Sequence, residues 1–356
     1  MQLSIIIPVY NTGEQLRNTI ESVIHQKGLE WELLLIDDGS TDEVTVSICD
    51  EYVKQYSTIR VIRQSNRGLC AARNIGLLMA AGEYVAFCDH DDKFCVDSME
   101  PVFHFARANN LDVVKYGYEF ICLDKKPKFP FKVDTFFAES HVMNITEFTR
   151  QYPVFYDCGK LNFVWDGIYR KSFLQKHKIV FNDRFRYGQE DVDFCIQCCH
   201  VLDRFGYYNA TCYIHYRYPV STSRGLSADK TRQLISDFIY VFQQQVNLFE
   251  KLTRQGLANV YWQTIELRNI LSLLAVVIKK EFPLSFREKT KCLIELRRYF
   301  PNYQRAIKNT KGWSLKEKIC YILFLKTPYM LIVISSLYAR WLTYRILKGQ
   351  KNFCSL

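Results

Sequence analysis

Two apolar runs of strand length, Leu33 to Ile36 and Tyr84 to Phe87, each end in a burst of carboxylates. The first opens into Ile36-Asp37-Asp38-Gly39-Ser40-Thr41-Asp42, the second into Cys88-Asp89-His90-Asp91-Asp92. A third acidic cluster, Gly188-Gln189-Glu190-Asp191-Val192-Asp193, comes later in the chain. Carboxylates at the carboxyl ends of adjacent parallel strands converge on one crevice, where open α/β sheets bind ligands. Such a cluster repels itself unless something cationic or proton-donating sits within it. A divalent metal carrying a phosphorylated ligand is the occupant this implies.

The rest of the first half supports a parallel sheet. Residues 3–9 form a continuous apolar run, as a strand buried on both faces requires. Helical spacing follows at Leu16, Ile20, Val23 and Ile24, and again over Val44 to Tyr56 and Leu69 to Ala81. Ile59 to Arg63 and Asp112 to Tyr118 read as further strands. Strands alternating with helices predict a Rossmann-like, mostly parallel sheet flanked by helices. Residues 122–160, rich in Lys, Pro and Phe, read as an irregular loop over the site. From about Ala228 the pattern is helical to the end.

A chain of 356 residues suits one large and one small domain, placed here at 1–225 and 226–356. Charge divides along the same line. Residues 226–356 hold 22 Lys and Arg against 8 Asp and Glu, a net +14, whereas residues 1–225 carry −4. The tail therefore expects an anionic partner. The apolar run 329–339, preceded by Pro328, is too short to span a bilayer. With Arg340, Trp341, Tyr344, Arg345 and Lys348 beside it, the run reads as a helix lying on an anionic membrane. The competing reading is a helix packed on the catalytic domain or on a second copy of the chain. Nucleic acid is set aside for want of a recognition motif. The 13 cysteines are odd in number and irregular in spacing, which predicts reduced thiols. Met1 to Tyr10 is strand-like and not a leader. The expectation is a cytoplasmic protein, peripheral on the cytoplasmic face of the membrane.

Five pieces in order, Ser4-Ile-Ile-Ile-Pro-Val-Tyr-Asn11, Ile36 to Asp42, Ala71-Ala-Arg-Asn-Ile-Gly76, Asp89-His-Asp91 and Glu190-Asp191, give the chain a resemblance to family-two glycosyltransferases over about residues 1–225. The resemblance implies a GT-A type fold and an inverting enzyme. It implies sugar transfer from a nucleotide donor, usually a uridine diphosphate sugar, assisted by Mn²⁺ or Mg²⁺. The acceptor would be a glycan or lipid-linked glycan, as in lipopolysaccharide, capsule or other surface-polysaccharide synthesis.

Residue by residue, the resemblance puts Pro8, Tyr10 and Asp38 around the nucleotide, where a carboxylate such as Asp38 can accept the imide N–H of uracil. The loop containing Asn11 offers backbone groups beside them. Arg73 holds an acidic residue or the pyrophosphate, or is a surface arginine. Asp89 and Asp91 match the Asp-x-Asp signature, one touching ribose and the other the metal. In an extended segment the two would point the same way. Asp92 reads as a helix N-cap or a weaker ligand. Asp191 is the general base implied by the family, with Glu190 as the runner-up. Trp165 and Asp166 are weaker acceptor candidates, and Asp166-Gly167 departs from the Trp-Asn-Lys frequent in the family. His215 would complete the metal shell or is a core histidine. Two other classes remain. A nucleotidyltransferase would need a basic, glycine-rich phosphate loop, which Tyr10-Asn11-Thr12-Gly13 does not supply. A non-catalytic scaffold would not need every acidic position filled.

Overall fold

Six strands of one sheet run in the same direction, so their carboxyl ends share one edge. The computed structural model describes residues 1–123, 138–157, 159–217, 227–256 and 284–298. Its elements are β1 (Leu3–Val9), α1 (Gln15–Ile24), β2 (Trp31–Asp37), α2 (Glu43–Gln55), β3 (Ile59–Arg63), α3 (Leu69–Met79), β4 (Tyr84–Phe87), β5 (Lys93–Phe94), α4 (Met99–Ala108) and β6 (Val113–Cys122). They continue with β7 (His141–Asn144), α5 (Ile145–Asp157), β8 (Gly167–Arg170), α6 (Lys171–Lys176), α7 (Glu190–Val201), β9 (Arg204–Arg217), α8 (Ala228–Arg254) and α9 (Phe286–Arg298). The sheet order is β3-β2-β1-β4-β8-β6-β9-β5, with β7 on β9. The first four strands are mutually parallel, and β6 is parallel to β9.

β8 is antiparallel to both β4 and β6. Local pattern could not reveal this, because a four-residue apolar strand carries no mark of direction. The consequence matters: β8 begins where β4 ends, so residues just before it join the acidic edge. β1 is buried along its whole length, as its apolar run requires. Pro8 lies beyond the last β1–β4 pair, Ile6 with Phe87, so its missing N–H costs that ladder nothing.

α3 lies close on β1. A Cβ at Gly76 would stand 2.4 Å from Ile6 Cγ2, so glycine allows the approach. Cys70, Ala71, Ala72 and Arg73 are buried with it. One expectation fails between residues 122 and 160. Asn144 caps α5, its Oδ1 accepting the Glu147 N–H at 3.0 Å while Glu147 Oε2 accepts the Asn144 N–H at 3.0 Å. This reciprocal box is a helix-start signal that the aromatic composition obscured. Residues 124–137 lie outside the described ones.

Two compact units divide the chain, one of Met1–Thr222 with Asn247–Ala258, the other of Ser223–Val246 with Asn259–Leu356. In the second, Arg232 bonds Glu288 at 2.6 Å, tying α8 to α9. The apolar run 329–339 and its basic flank lie outside the described residues. Among the described residues no helix is long and apolar enough to cross a membrane.

Candidate functional site

Arg73 is 1% exposed, which removes the surface reading. Its Nη1 donates to Asp191 Oδ1 at 2.6 Å and lies 3.5 Å from Glu190 Oε1. Its Nη2 donates to Asp89 Oδ1 at 2.9 Å. One guanidinium from α3 thus joins the second and third acidic clusters, lying over the Phe181 ring as well. Burial opposes its charge, but Asp191, Asp89 and Glu190 together outweigh burial and hold it protonated. The cation expected among the carboxylates is, in part, the protein's own. Asn74, the next residue, exchanges two 2.8 Å hydrogen bonds with the Phe181 backbone, fixing the segment that leads to α7.

α7 starts at Glu190, behind a left-handed Gln189 with φ +80°. Such a conformation in a non-glycine residue is strain of a kind that clusters at functional sites. Asp191 Oδ2 accepts the Val164 N–H at 3.2 Å. Burial raises the Asp191 pKa, and Arg73 opposes the rise. Burial and the Asp191 charge push Glu190 up to about 7, against Arg73. Three carboxylates around one guanidinium leave negative charge uncompensated.

A stability prediction follows. The folded pKa of Glu190 lies above its unfolded value, so the stability its protonated form contributes is full below pH 4.5 and lost as pH rises through about 7. Glu190→Gln removes that loss. We expect the variant to be more stable than the parent at pH 8, on the order of 1–3 kcal/mol from a shift of this size, and equal to it near pH 4.5. Denaturant melts at the two pH values check this; a variant equally or less stable at pH 8 contradicts it.

The Asp89–Asp92 segment is not extended. Asp92 N–H bonds the Asp89 carbonyl at 3.1 Å, closing a turn, so strand alternation does not orient Asp89 and Asp91. Nor does Asp92 cap a helix. It is fully buried and accepts from Tyr213 Oη, from the Tyr216 N–H and at His215 Nδ1, each at 2.8 Å. Tyr213 Oη in turn accepts the Asp89 N–H at 3.0 Å. Asp92 therefore pins the turn to β9. β5, antiparallel to β9 through Lys93 and Ile214, holds the same junction. With Asp92 ionised, this bond puts a proton on His215 Nδ1, and in the neutral ring Nε2 is then the free nitrogen, the tautomer a metal ligand needs. Burial lowers the His215 pKa, but Asp92, Asp89 and Asp91 outweigh burial and raise it. Burial, with the Asp89 charge, raises the Asp91 pKa, and His90 opposes them. Among the described residues no three His, Cys, Asp or Glu side chains form a ready metal cage.

At the nucleotide end, Tyr10 is 45% exposed and Pro8 buried. Asn11 braces the loop after β2: its Oδ1 accepts the Thr41 N–H at 2.7 Å and the Asp42 N–H at 3.2 Å. Asp42 caps α2, its side chain accepting the Thr45 N–H. Gly39, at φ +79°, lets this loop pass close to the backbone of Asn66. Asp38 accepts from Gln64 Nε2, Arg67 N–H and Gly68 N–H. Its carboxylate thus shapes the 64–68 loop.

Trp165 and Asp166 do not present themselves to an acceptor. Trp165 is 2% exposed and stacks on Phe163, Tyr213 and His215. Asp166 is wholly buried and paired with Lys115 Nζ at 2.6 Å. Burial of this polar pair inside the sheet corrects the acceptor expectation for both. The cysteines with described side chains are free thiols, which removes any disulfide among them.

Known proteins resemble this chain in sequence and fold. Residues 4–207 match Glycosyl transferase family 2. The uncharacterized glycosyltransferase EpsJ of Bacillus subtilis is 28% identical over 62% of this chain and 62% of its own length. The cholesterol galactosyltransferase of Borreliella burgdorferi is 25% identical over 89% and 88%. The poly(ribitol-phosphate) beta-N-acetylglucosaminyltransferase TarP of Staphylococcus aureus is 30% identical over 55% and 57%. Among solved structures, residues 1–349 of S. aureus TarS superpose with a TM-score of 0.68 at 17% identity, covering 96% of this chain and 92% of that one. The same fragment has been solved with UDP and with UDP-GlcNAc. A sheet of GT-A type, together with a family match that takes in more than half of the chain, makes this protein a member of glycosyl transferase family 2.

Proposed function

We propose that the chain is an inverting glycosyltransferase that moves a sugar from a uridine diphosphate donor to a hydroxyl of a glycan or lipid-linked glycan. The observation that carries this reading is the Arg73 cluster, which sets Asp191 and Glu190 beside Asp89 at the carboxyl edge of the sheet. The UDP and UDP-GlcNAc complexes of TarS support the donor class. The activities that the TarP and Borreliella enzymes are named for, on poly(ribitol phosphate) and on cholesterol, support a hydroxyl acceptor.

In this mechanism Tyr10 and Asp38 receive the base, and Arg73 fixes Asp89 and Asp191 relative to each other. Asp191 takes the proton of the acceptor hydroxyl, a very weak acid that needs a positioned acceptor. The oxygen attacks the anomeric carbon opposite the nucleotide, and one displacement inverts the centre. Asp91, with Asp89 or His215 as a second ligand, would hold Mn²⁺ or Mg²⁺, which when bound neutralises charge on the departing diphosphate. A second reading exchanges the two acids of α7. It is favoured by the Glu190 pKa of about 7, close to the ideal for a base at neutral pH.

The metal assignment predicts that Asp91→Ala removes most activity and weakens Mn²⁺-dependent UDP binding. Calorimetric titration with UDP, with and without Mn²⁺, checks it. Turnover that survives both the substitution and a chelator contradicts it.

The charge of the C-terminal part supports peripheral attachment to an anionic membrane, where a lipid-linked acceptor would lie. Each basic residue near such a surface contributes about 1 kcal/mol. The full chain should sediment with anionic vesicles in a salt-sensitive manner, and a chain ending near Thr327 should sediment much less. Equal binding by both would remove the tail as the anchor.

A further inference from the structure

The peptide group between Phe163 and Val164 has one face toward Asp191 and the other toward a buried ammonium. Its N–H donates to Asp191 Oδ2 at 3.2 Å. Its carbonyl accepts from Lys115 Nζ at 2.6 Å. Carbonyl and N–H of a trans peptide point in opposite directions, so this one plane spans the gap between the two side chains. Lys115 is 1% exposed. Its ammonium also donates to Asp166 Oδ1 at 2.6 Å and Tyr169 Oη at 3.0 Å, and Tyr169 Oη donates onward to the Val164 carbonyl at 3.2 Å. The ammonium thus grips the peptides on both sides of Val164. Gly167 makes room for this: a Cβ there would stand 2.9 Å from Lys115 Cδ.

We propose that Lys115 is a positioning residue for Asp191, acting through the Phe163–Val164 peptide that the ammonium orients and polarises. This rests on the reading of Asp191 as the base, and gives that base a support from β6 that the acidic motifs do not include. Hydrogen bonds in a chain strengthen one another in a low-dielectric interior, and a charged donor at one end strengthens the N–H at the other. Asp166 balances the ammonium, so the device adds little net charge beside the site. The other groups that bear on Asp191 are Arg73 from α3, Asp89 after β4 and Glu190 on α7. Cys70, Tyr169, Cys195 and Asp166 lie close enough to interact with it electrostatically.

The test is the charge-neutral double variant Lys115→Met/Asp166→Asn, which keeps the pair's net charge and removes the grip on the peptide. The titration of the Asp191 carboxyl is read by ¹³C NMR on Asp-labelled protein, its signal assigned by its loss in Asp191→Asn. We expect the midpoint to rise by about one unit, a tenfold change in protonation, because the ionised carboxylate loses an aligned N–H donor. Tyr169→Phe, which leaves the ion pair intact, should shift it the same way by less and serves if the double variant does not fold. An unchanged midpoint in a folded variant overturns the proposal. Release of UDP from UDP-GlcNAc is followed against pH in parallel. Its acidic limb should move with the NMR midpoint. A midpoint that moves while the limb stays fixed supports the positioning role and removes Asp191 as the base, so the two failures are distinguishable.

Discussion

Asp191→Asn should lower transfer by about 10²- to 10⁴-fold, the contribution of a positioned base, while UDP affinity stays within a few-fold. The asparagine keeps size and place. Its amide can accept from Arg73 or from the Val164 N–H, but it cannot take a proton from a sugar hydroxyl. Glu190→Gln is the control that matters. If it abolishes transfer while Asp191→Asn does not, the roles of the two acids of α7 are exchanged. Initial rates with each variant, beside UDP titrations, check this.

Arg73→Met should destabilise the fold by about 3–5 kcal/mol, the usual cost of breaking a buried ion pair from one side. Met fills much of the volume but leaves Asp89, Glu190 and Asp191 facing one another without their shared cation. The sign with pH is fixed. Their folded pKa values, already raised for Glu190 and Asp191, rise further, so stability is retained below the unfolded carboxylate range and lost as pH rises. The loss should be greater at pH 8 than at pH 5. Urea melts at the two values measure it, and a small, pH-independent loss contradicts a role as the common counter-ion.

Local pattern carried the sequence reading far where neighbours in sequence decide the outcome. β1 is apolar because both its faces are covered, and the glycine and acidic turns at its neighbours' ends announce a ligand-binding edge. What escaped was settled by distant partners. Arg73 read equally as a partner of an acid or pyrophosphate and as a surface cation, because its three carboxylates come from two other segments of the chain. Asp92 looked like a cap because Tyr213 and His215 reach it only once β5 lies on β9. Lys115 was visible as a lone cation in the apolar run Val113-Val114-Lys115-Tyr116, and Asp166 as an acid where an amide is frequent. Only the antiparallel insertion of β8 between β4 and β6 makes those two a pair.

The central claim, inverting transfer from a uridine diphosphate sugar with Asp191 as base, is tested most directly by real-time proton NMR. The purified chain is incubated with UDP-glucose, UDP-galactose and UDP-GlcNAc in the presence of Mn²⁺, with and without a panel of glycan and lipid acceptors. Release of UDP from at least one donor is expected. The β-anomer should appear first from the α-linked sugar, and Asp191→Asn should suppress both signals. No turnover of any donor, first appearance of the α-anomer, or full activity in Asp191→Asn would contradict it.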